Sequence, residues 1–415
     1  MDLARPVYRP PAPPRQNRLP AHVYWRRRAI VLLAAVTITF AGYLGVTLAF
    51  ALHNPSYGVS MQARAAEWGR QHGLGSFVTW VETEWYKLHP AKIGGTVSPK
   101  SFGSGPTTVK IPQGVYHLPA PANIVSPVAH PLPGEGVWHV VGRRTANGVP
   151  TVYEAFIRPD PIHTSYIVGI AWMDPTLLRA QLYSGSFIPG TGGPFRFTAP
   201  ISAPASRTLV AAFNAGFRMQ DANGGYYTQG KTILPLRNGA ASVVVFKDGT
   251  MTVAKWGRDA TMSDQIASVR QNLDLIVDHG QAVPGLAAQN SIKWGKTLGG
   301  TFNVWRSGLG VTRSGALVYV GGPALSISDL ANVLVRAGAV RAMELDINTD
   351  WVQYSIYNGP LNAAVNGGNG TDLLNTLNGS PSRFFATWWN RDFFTMSLRS
   401  GTTGATTTTT TTPLG

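Results

Sequence analysis

One stretch limits the fold before any other: Ala29–Leu52 is an uncharged, mostly apolar run directly behind Arg26, Arg27 and Arg28. A bilayer core takes roughly 20 such residues, so the run reads as one transmembrane helix. The Arg-rich leader before it belongs on the cytoplasmic side, which puts everything after about residue 53 outside. The rival reading is a cleaved signal, because Ala49–Ala51 has the small-x-small form of a cleavage site. Length favours the anchor. Either way the main domain is expected to be extracytoplasmic, and with the anchor the protein is a single-pass cell-membrane protein.

The remaining sequence divides by composition. Residues 1–28 form a Pro- and Arg-rich tail, and 29–52 the membrane helix. Residues 54–92 form a helical juxtamembrane region. Phe77, Trp80, Val81, Trp85 and Leu88 recur there at helical spacing, which reads as a packing face, and Pro90 ends the helix. Residues 93–134 are a Gly-, Pro- and Ser-rich connector. Residues 135–400 form the main domain, and 401–415 a Thr-rich tail. In the main domain, runs such as Thr151–Arg158, Ser165–Met173, Thr208–Phe217 and Ser242–Gly249 combine β-branched and aromatic residues with turn signals between them. One unit differs. Ala316–Gly322 reads as a strand, 326–337 as a helix capped by Ser326 or Ser328 and ended at Gly338, and Val340–Asn348 as a second strand. The expected class is α+β: a mainly β, mixed-sheet domain with one strand–helix–strand unit, preceded by the transmembrane helix and a short helical segment.

That second strand ends in acids. In Val340–Trp351, side-chain alternation places Met343, Leu345 and Ile347 on one face and Glu344, Asp346 and Asn348 on the other. Ligands collect at the carboxyl ends of strands in such units. Two carboxyls two residues apart lie about 7 Å apart along a strand, a spacing suited to acid/base work on a glycosidic bond. Salt bridges on a solvated face would explain the same pattern.

Three further stretches carry a resemblance. Asn214–Phe217 follows a strand, Asp274–Val283 is a strand and turn, and Arg306–Gly310 opens a Gly-flanked hairpin. In this order, with Leu345–Asp346 after the helix and Pro381–Arg383 later, the segment from about residue 205 to 398 resembles the phosphodiester glycosidase family. The chain departs from the family pattern after Asp346, where Ile347, Asn348 and Thr349 stand in place of a Gly-rich turn. The resemblance implies a hydrolase cleaving between an anomeric carbon and a phosphate oxygen. It makes Asp346 the candidate catalytic carboxylate, with Glu344 as a second acid. Arg306 and Arg383 become candidates for the substrate phosphate, and Asn214, Asn348, Asp278 and His279 for further substrate contacts. The alternative is a non-catalytic envelope protein that keeps the fold and binds glycan or an assembly partner.

Composition bounds the partners. There is no cysteine, which excludes disulfides and thiolate chemistry. A net charge of +15 suits an anionic partner such as a phosphorylated glycan or cell-wall polymer. No nucleic-acid-binding motif is present. No metal-ligand spacing is present either, so no cofactor is expected; Ca²⁺ on the Asp and Asn oxygens is compatible with the sequence but leaves no signature in it.

Overall fold

A computed structural model describes residues 20–103, 116–190, 192–287, 294, 303–387, 389 and 391–402. The expected tails therefore lie mostly outside the described residues, as does the middle of the connector. The chain divides into two compact units, Met1–Asn54 and Pro55–Gly415.

The first unit is a single helix, Ala21–His53, of 33 residues. It begins earlier than the apolar run, so Arg26–Arg28 are helical and not part of an unstructured leader. Apolar side chains along it, among them Ile30, Leu33, Val36, Phe40 and Phe50, are exposed. A helix with this much exposed apolar surface has the length and composition to cross a bilayer.

The second unit begins with two helices, Met61–Gln71 and Gly75–Leu88. Ser60 caps the first by accepting a hydrogen bond from the Ala63 N–H. An ion pair of 2.5 Å between Arg70 and Glu82 ties the two together. The aromatic face of the second helix is not a packing face. Phe77, Trp80, Val81, Trp85 and Leu88 are all exposed, while Tyr86 on the other side packs against the core.

Three sheets follow, and their named ladders are antiparallel throughout. The largest has eight strands in the spatial order His139–Val141, Val152–Ile157, Val168–Met173, Leu317–Leu325, Val304–Thr312, Ala339–Asp346, Leu275–Asp278 and Gln281–Ala282. The strand–helix–strand unit is present but split. Leu317–Leu325 and Ala339–Asp346 run in the same direction, and Val304–Thr312 lies between them, antiparallel to both. The connecting helix, Ile327–Arg336, starts with a capping box in which Ser326 and Asp329 satisfy each other's backbone N–H. Its buried face of Ile327, Leu330, Ala331, Val333 and Leu334 covers one side of the sheet. Glycine eases the approach: a Cβ on Gly308 would lie 3.0 Å from Leu334 Cδ1 and 3.3 Å from Leu330 Cδ1 of this helix.

The other face of the large sheet packs on the two smaller ones. Leu309, Leu317, Tyr319, Met343 and Leu345 meet Val210, Phe213, Val243, Tyr354 and Phe394 in one apolar cluster. One smaller sheet runs Lys231–Leu234, Tyr226–Thr228, Ile266–Gln271, Ala241–Phe246, Met251–Lys255. The other runs Gly370–Asp372, Tyr354–Tyr357, Leu209–Asn214, Phe393–Leu398, Leu178–Tyr183. Ile347 departs from the expected alternation. The strand ends at Asp346, and Ile347 joins the cluster beneath the helix instead of the one holding Met343 and Leu345.

Candidate active site

The carboxyl end of Ala339–Asp346 delivers Asp346 to a buried polar centre, where it is 3% exposed. Register sets its neighbour. Ser307 on Val304–Thr312 pairs with Asp346, and the Asp346 N–H donates to Ser307 Oγ at 3.2 Å. Asn214 Nδ2 donates to the same oxygen at 3.1 Å. Asn214 is held in turn by Tyr319 OH and the Gln353 N–H, both donating to its Oδ1. Asn214 thus reaches Asp346 through Ser307.

The Asp346 carboxylate folds over its own turn. Its Oδ1 accepts from the Ile347 N–H at 2.8 Å and the Asn348 N–H at 3.1 Å. Asn348 does the same one step on, accepting from the Asp350 N–H at 2.9 Å. These bonds stabilise the departure from a Gly-rich turn without positive backbone angles at Ile347 or Asn348. Burial raises the Asp346 carboxyl to about 6, against the pull of Arg391, the two backbone N–H groups and Arg218.

Arg391 and Arg218 are the cations that face Asp346, and sequence reasoning had singled out neither. Arg218 follows Asn214–Phe217 directly. Arg391 immediately precedes the buried acid Asp392 and the strand Phe393–Leu398, whose Phe393 pairs with Asn214. The Arg391 guanidinium lies over Trp351, 4.2 Å from the ring centroid. Buried Asp392 steadies this corner through a 2.7 Å ion pair with Arg270, which also donates to the Phe217 carbonyl. Gly216 has to be small here, since a Cβ would sit 3.1 Å from the Arg270 guanidinium carbon.

A third charge comes from the first of the two paired helices. Glu67, 7% exposed, sends Oε1 to within 3.5 Å of Arg218 and Oε2 to within 3.8 Å of Arg391. Its carboxylate spans the two arginines beside Asp346. The first of the paired helices thus brings a carboxylate to the two arginines.

The other expected residues have the following places. Arg306 and Glu344 form a fully buried pair at 2.6 Å, and Arg306 Nε also donates to the Leu325 carbonyl. Burial raises the Glu344 carboxyl in spite of Arg306. Arg383 donates to the Asp350 carbonyl at 2.6 Å and lies over Trp389, and burial lowers it to about 10. Asp278 and His279 are not brought to Asp346. Pairing of Val277 with Ala342 puts them toward the opposite end of the Asp346 strand, where Arg258 grips Asp278 through two hydrogen bonds and His279 is exposed. Among the described residues, no three His, Asp or Glu side chains gather as a metal-ligand set.

Residues 207–346 match the profile of the phosphodiester glycosidase family. No curated protein matches the chain. Among solved structures, similarity extends to the catalytic domain of zebrafish N-acetylglucosamine-1-phosphodiester alpha-N-acetylglucosaminidase, auto-inhibited by pro-peptide. The identity is 13% and the TM-score 0.39, over 63% of this chain and 88% of that one. A hypothetical protein from Synechocystis is similar at 14% identity and a TM-score of 0.34, over 61% of this chain and 63% of that one.

Proposed function

We propose, for a chain that carries a phosphodiester glycosidase family domain at residues 207–346, a membrane-anchored hydrolase that cleaves sugar 1-phosphodiesters of envelope glycans outside the cell. The observation that carries this reading is Asp346, a buried carboxyl faced by two arginines. Cleavage between the anomeric carbon and the phosphate oxygen builds positive charge on the sugar, which an adjacent carboxylate stabilises or attacks. The leaving phosphate is anionic. Arg391 is the candidate to hold it, with Arg218 assisting through the Nη1 that Asp221 leaves, since Asp221 already accepts from Arg218 Nε and Nη2. Asn214 and Ser307 fix the strand end that presents Asp346, and the Arg306–Glu344 pair supports that strand from beneath. A substrate phosphate takes the position of the Glu67 carboxylate, so the paired helices shift when it binds. The Ala21–His53 helix serves as the anchor.

The test is release of free sugar from a panel of sugar 1-phosphodiesters by the full chain in detergent, beside Asp346→Asn. Turnover that disappears in the variant supports the hydrolase. A folded protein with no turnover on any member, yet with retained binding of the intact phosphodiesters, replaces it with a glycan-binding module.

A further inference from the structure

The helix Gly75–Leu88 has two faces of opposite destiny. Val78, Glu82 and Tyr86 turn inward: Val78 reaches the backbone of Gly69, Glu82 pairs with Arg70, and Tyr86 joins the core. The outward face is formed by Phe77, Trp80, Trp85 and Leu88, which are 59%, 59%, 53% and 77% exposed. Val81 lies among them, and Leu74 and Ile93 extend the exposed apolar surface at the two ends of the helix. Two Trp, a Phe and aliphatic residues along one helix face form an apolar stripe, larger than the scattered apolar residues of an ordinary surface. Glu84 interrupts the stripe and pairs with Lys87 at 2.7 Å, and His89 and Lys92 lie beyond its carboxyl-terminal end.

We infer that this stripe docks on the lipid surface, lying in the headgroup region with its aromatic rings at the boundary of the acyl chains. The inference rests on reading Ala21–His53 as the membrane anchor. That helix ends at His53 and the paired helices begin at Met61. Even fully extended, the short linker between them reaches only about 25 Å, at roughly 3.5 Å per residue. The paired helices therefore cannot leave the neighbourhood of the bilayer. Trp and Phe favour this interface because an amphipathic ring sits between water and hydrocarbon. A helix that turns an aromatic–aliphatic face away from its own protein can lie flat there. Lys92, just past its end, meets anionic headgroups. A second copy of the chain covering the same stripe is the competing occupant.

The chain has no cysteine, so single labels can be placed without removing native thiols. Full-length protein carrying Phe77→Cys or Leu88→Cys, labelled with a polarity-sensitive fluorophore, is reconstituted into phosphatidylcholine–phosphatidylglycerol vesicles. Brominated lipid serves as quencher. Phe40→Cys reports on the anchor, and Thr232→Cys, on an exposed strand of a smaller sheet, marks a water-facing position. Quenching at 77 and 88 that approaches the level at 40, with none at 232, supports docking. Quenching at 40 alone overturns the docking and leaves the anchor standing. Quenching at 77 and 88 without 40 supports docking and overturns the anchor. Labels at 77 and 88 that shift to the blue without lipid quenching, and only at high protein density, assign the stripe to a second copy and overturn the inference. No response at any position overturns both readings.

Discussion

Arg306 and Glu344 form an ion pair between adjacent strands, 2.6 Å apart, with neither side chain exposed to solvent, while the residue in register with Glu344 is Gly308. Glu344 Oε2 has no partner among the described residues, so the pair depends on Arg306 for its compensation. Removing one member leaves the other charge buried, at a cost of about 3–5 kcal/mol. Glu344→Leu is expected to lose that much in denaturant unfolding of the solubilised chain. Adding Arg306→Met to Glu344→Leu should recover most of the loss. Equal destabilisation by the single and double variants would show that the pair is not the source.

The raised Asp346 carboxyl sets the acid side of the pH profile. The ionised form that stabilises a developing sugar cation accumulates above about 6. For the wild type, kcat/KM is expected to rise tenfold per pH unit below that value and level off above it. Asp346→Asn should abolish the activity, not move the inflection. An acid limb unrelated to a pKa near 6 would point to another group.

In the proposed hydrolase, Glu67 competes with the substrate for Arg218 and Arg391. Its two contacts, at 3.5 and 3.8 Å, are long for an ion pair. Such a pair is worth about 1 kcal/mol, which corresponds to roughly fivefold in an equilibrium. Glu67→Gln is therefore expected to lower KM several-fold with kcat little changed. An increase in KM would mean that Glu67 helps to hold the arginines for substrate.

Stability should fall as pH rises across the neutral range. Glu154 lies in the interface between sheets with its Oε1 unpartnered, and burial raises its carboxyl from 4.5 to about 8. A group raised on folding contributes its full stability below the unfolded value and loses it as pH climbs through the folded one. Unfolding free energy should thus decline between about pH 5 and 8, by a few kcal/mol at roughly 1.4 kcal/mol per pH unit. Asp346 and Glu344 add to the decline in its lower part. Glu154→Gln should flatten the upper part, and an unchanged slope would remove Glu154 as the cause.

Local signals in the sequence were enough for the elements and for one member of the site. The Ser326 cap, the helical spacing of Leu330, Val333 and Leu334, and Gly338 are contained within a single turn or two, and the helix lies where they put it. Asp346 is legible because it ends a strand after that helix. Arg218, Arg391 and Glu67 are not, because what joins them is the pairing of Phe393 with Asn214 and the packing of an amino-terminal helix. Their only local trace is position: Arg218 directly after the Asn-Ala-Gly-Phe turn, Arg391 directly before a buried acid. The expected roles of Arg306 and the aromatic stripe rest on burial, which periodicity alone does not report. The spacing of Phe77, Trp80, Trp85 and Leu88 marks one helix face without saying whether that face meets the protein or the surroundings.

The strand pairing has a consequence for biosynthesis. Val304–Thr312, Leu317–Leu325 and Ala339–Asp346 are close in sequence and can associate as soon as they are made. Leu178–Tyr183 has to wait for Phe393–Leu398, which comes from the opposite end of the domain. The carboxylate half of the centre is therefore available early, and the part contributed by Arg391 joins it only once Phe393–Leu398 has been made. Such distant pairings form slowly. Until Phe393–Leu398 is in place, a folding chain would hold Asp346 with Arg218 but without Arg391.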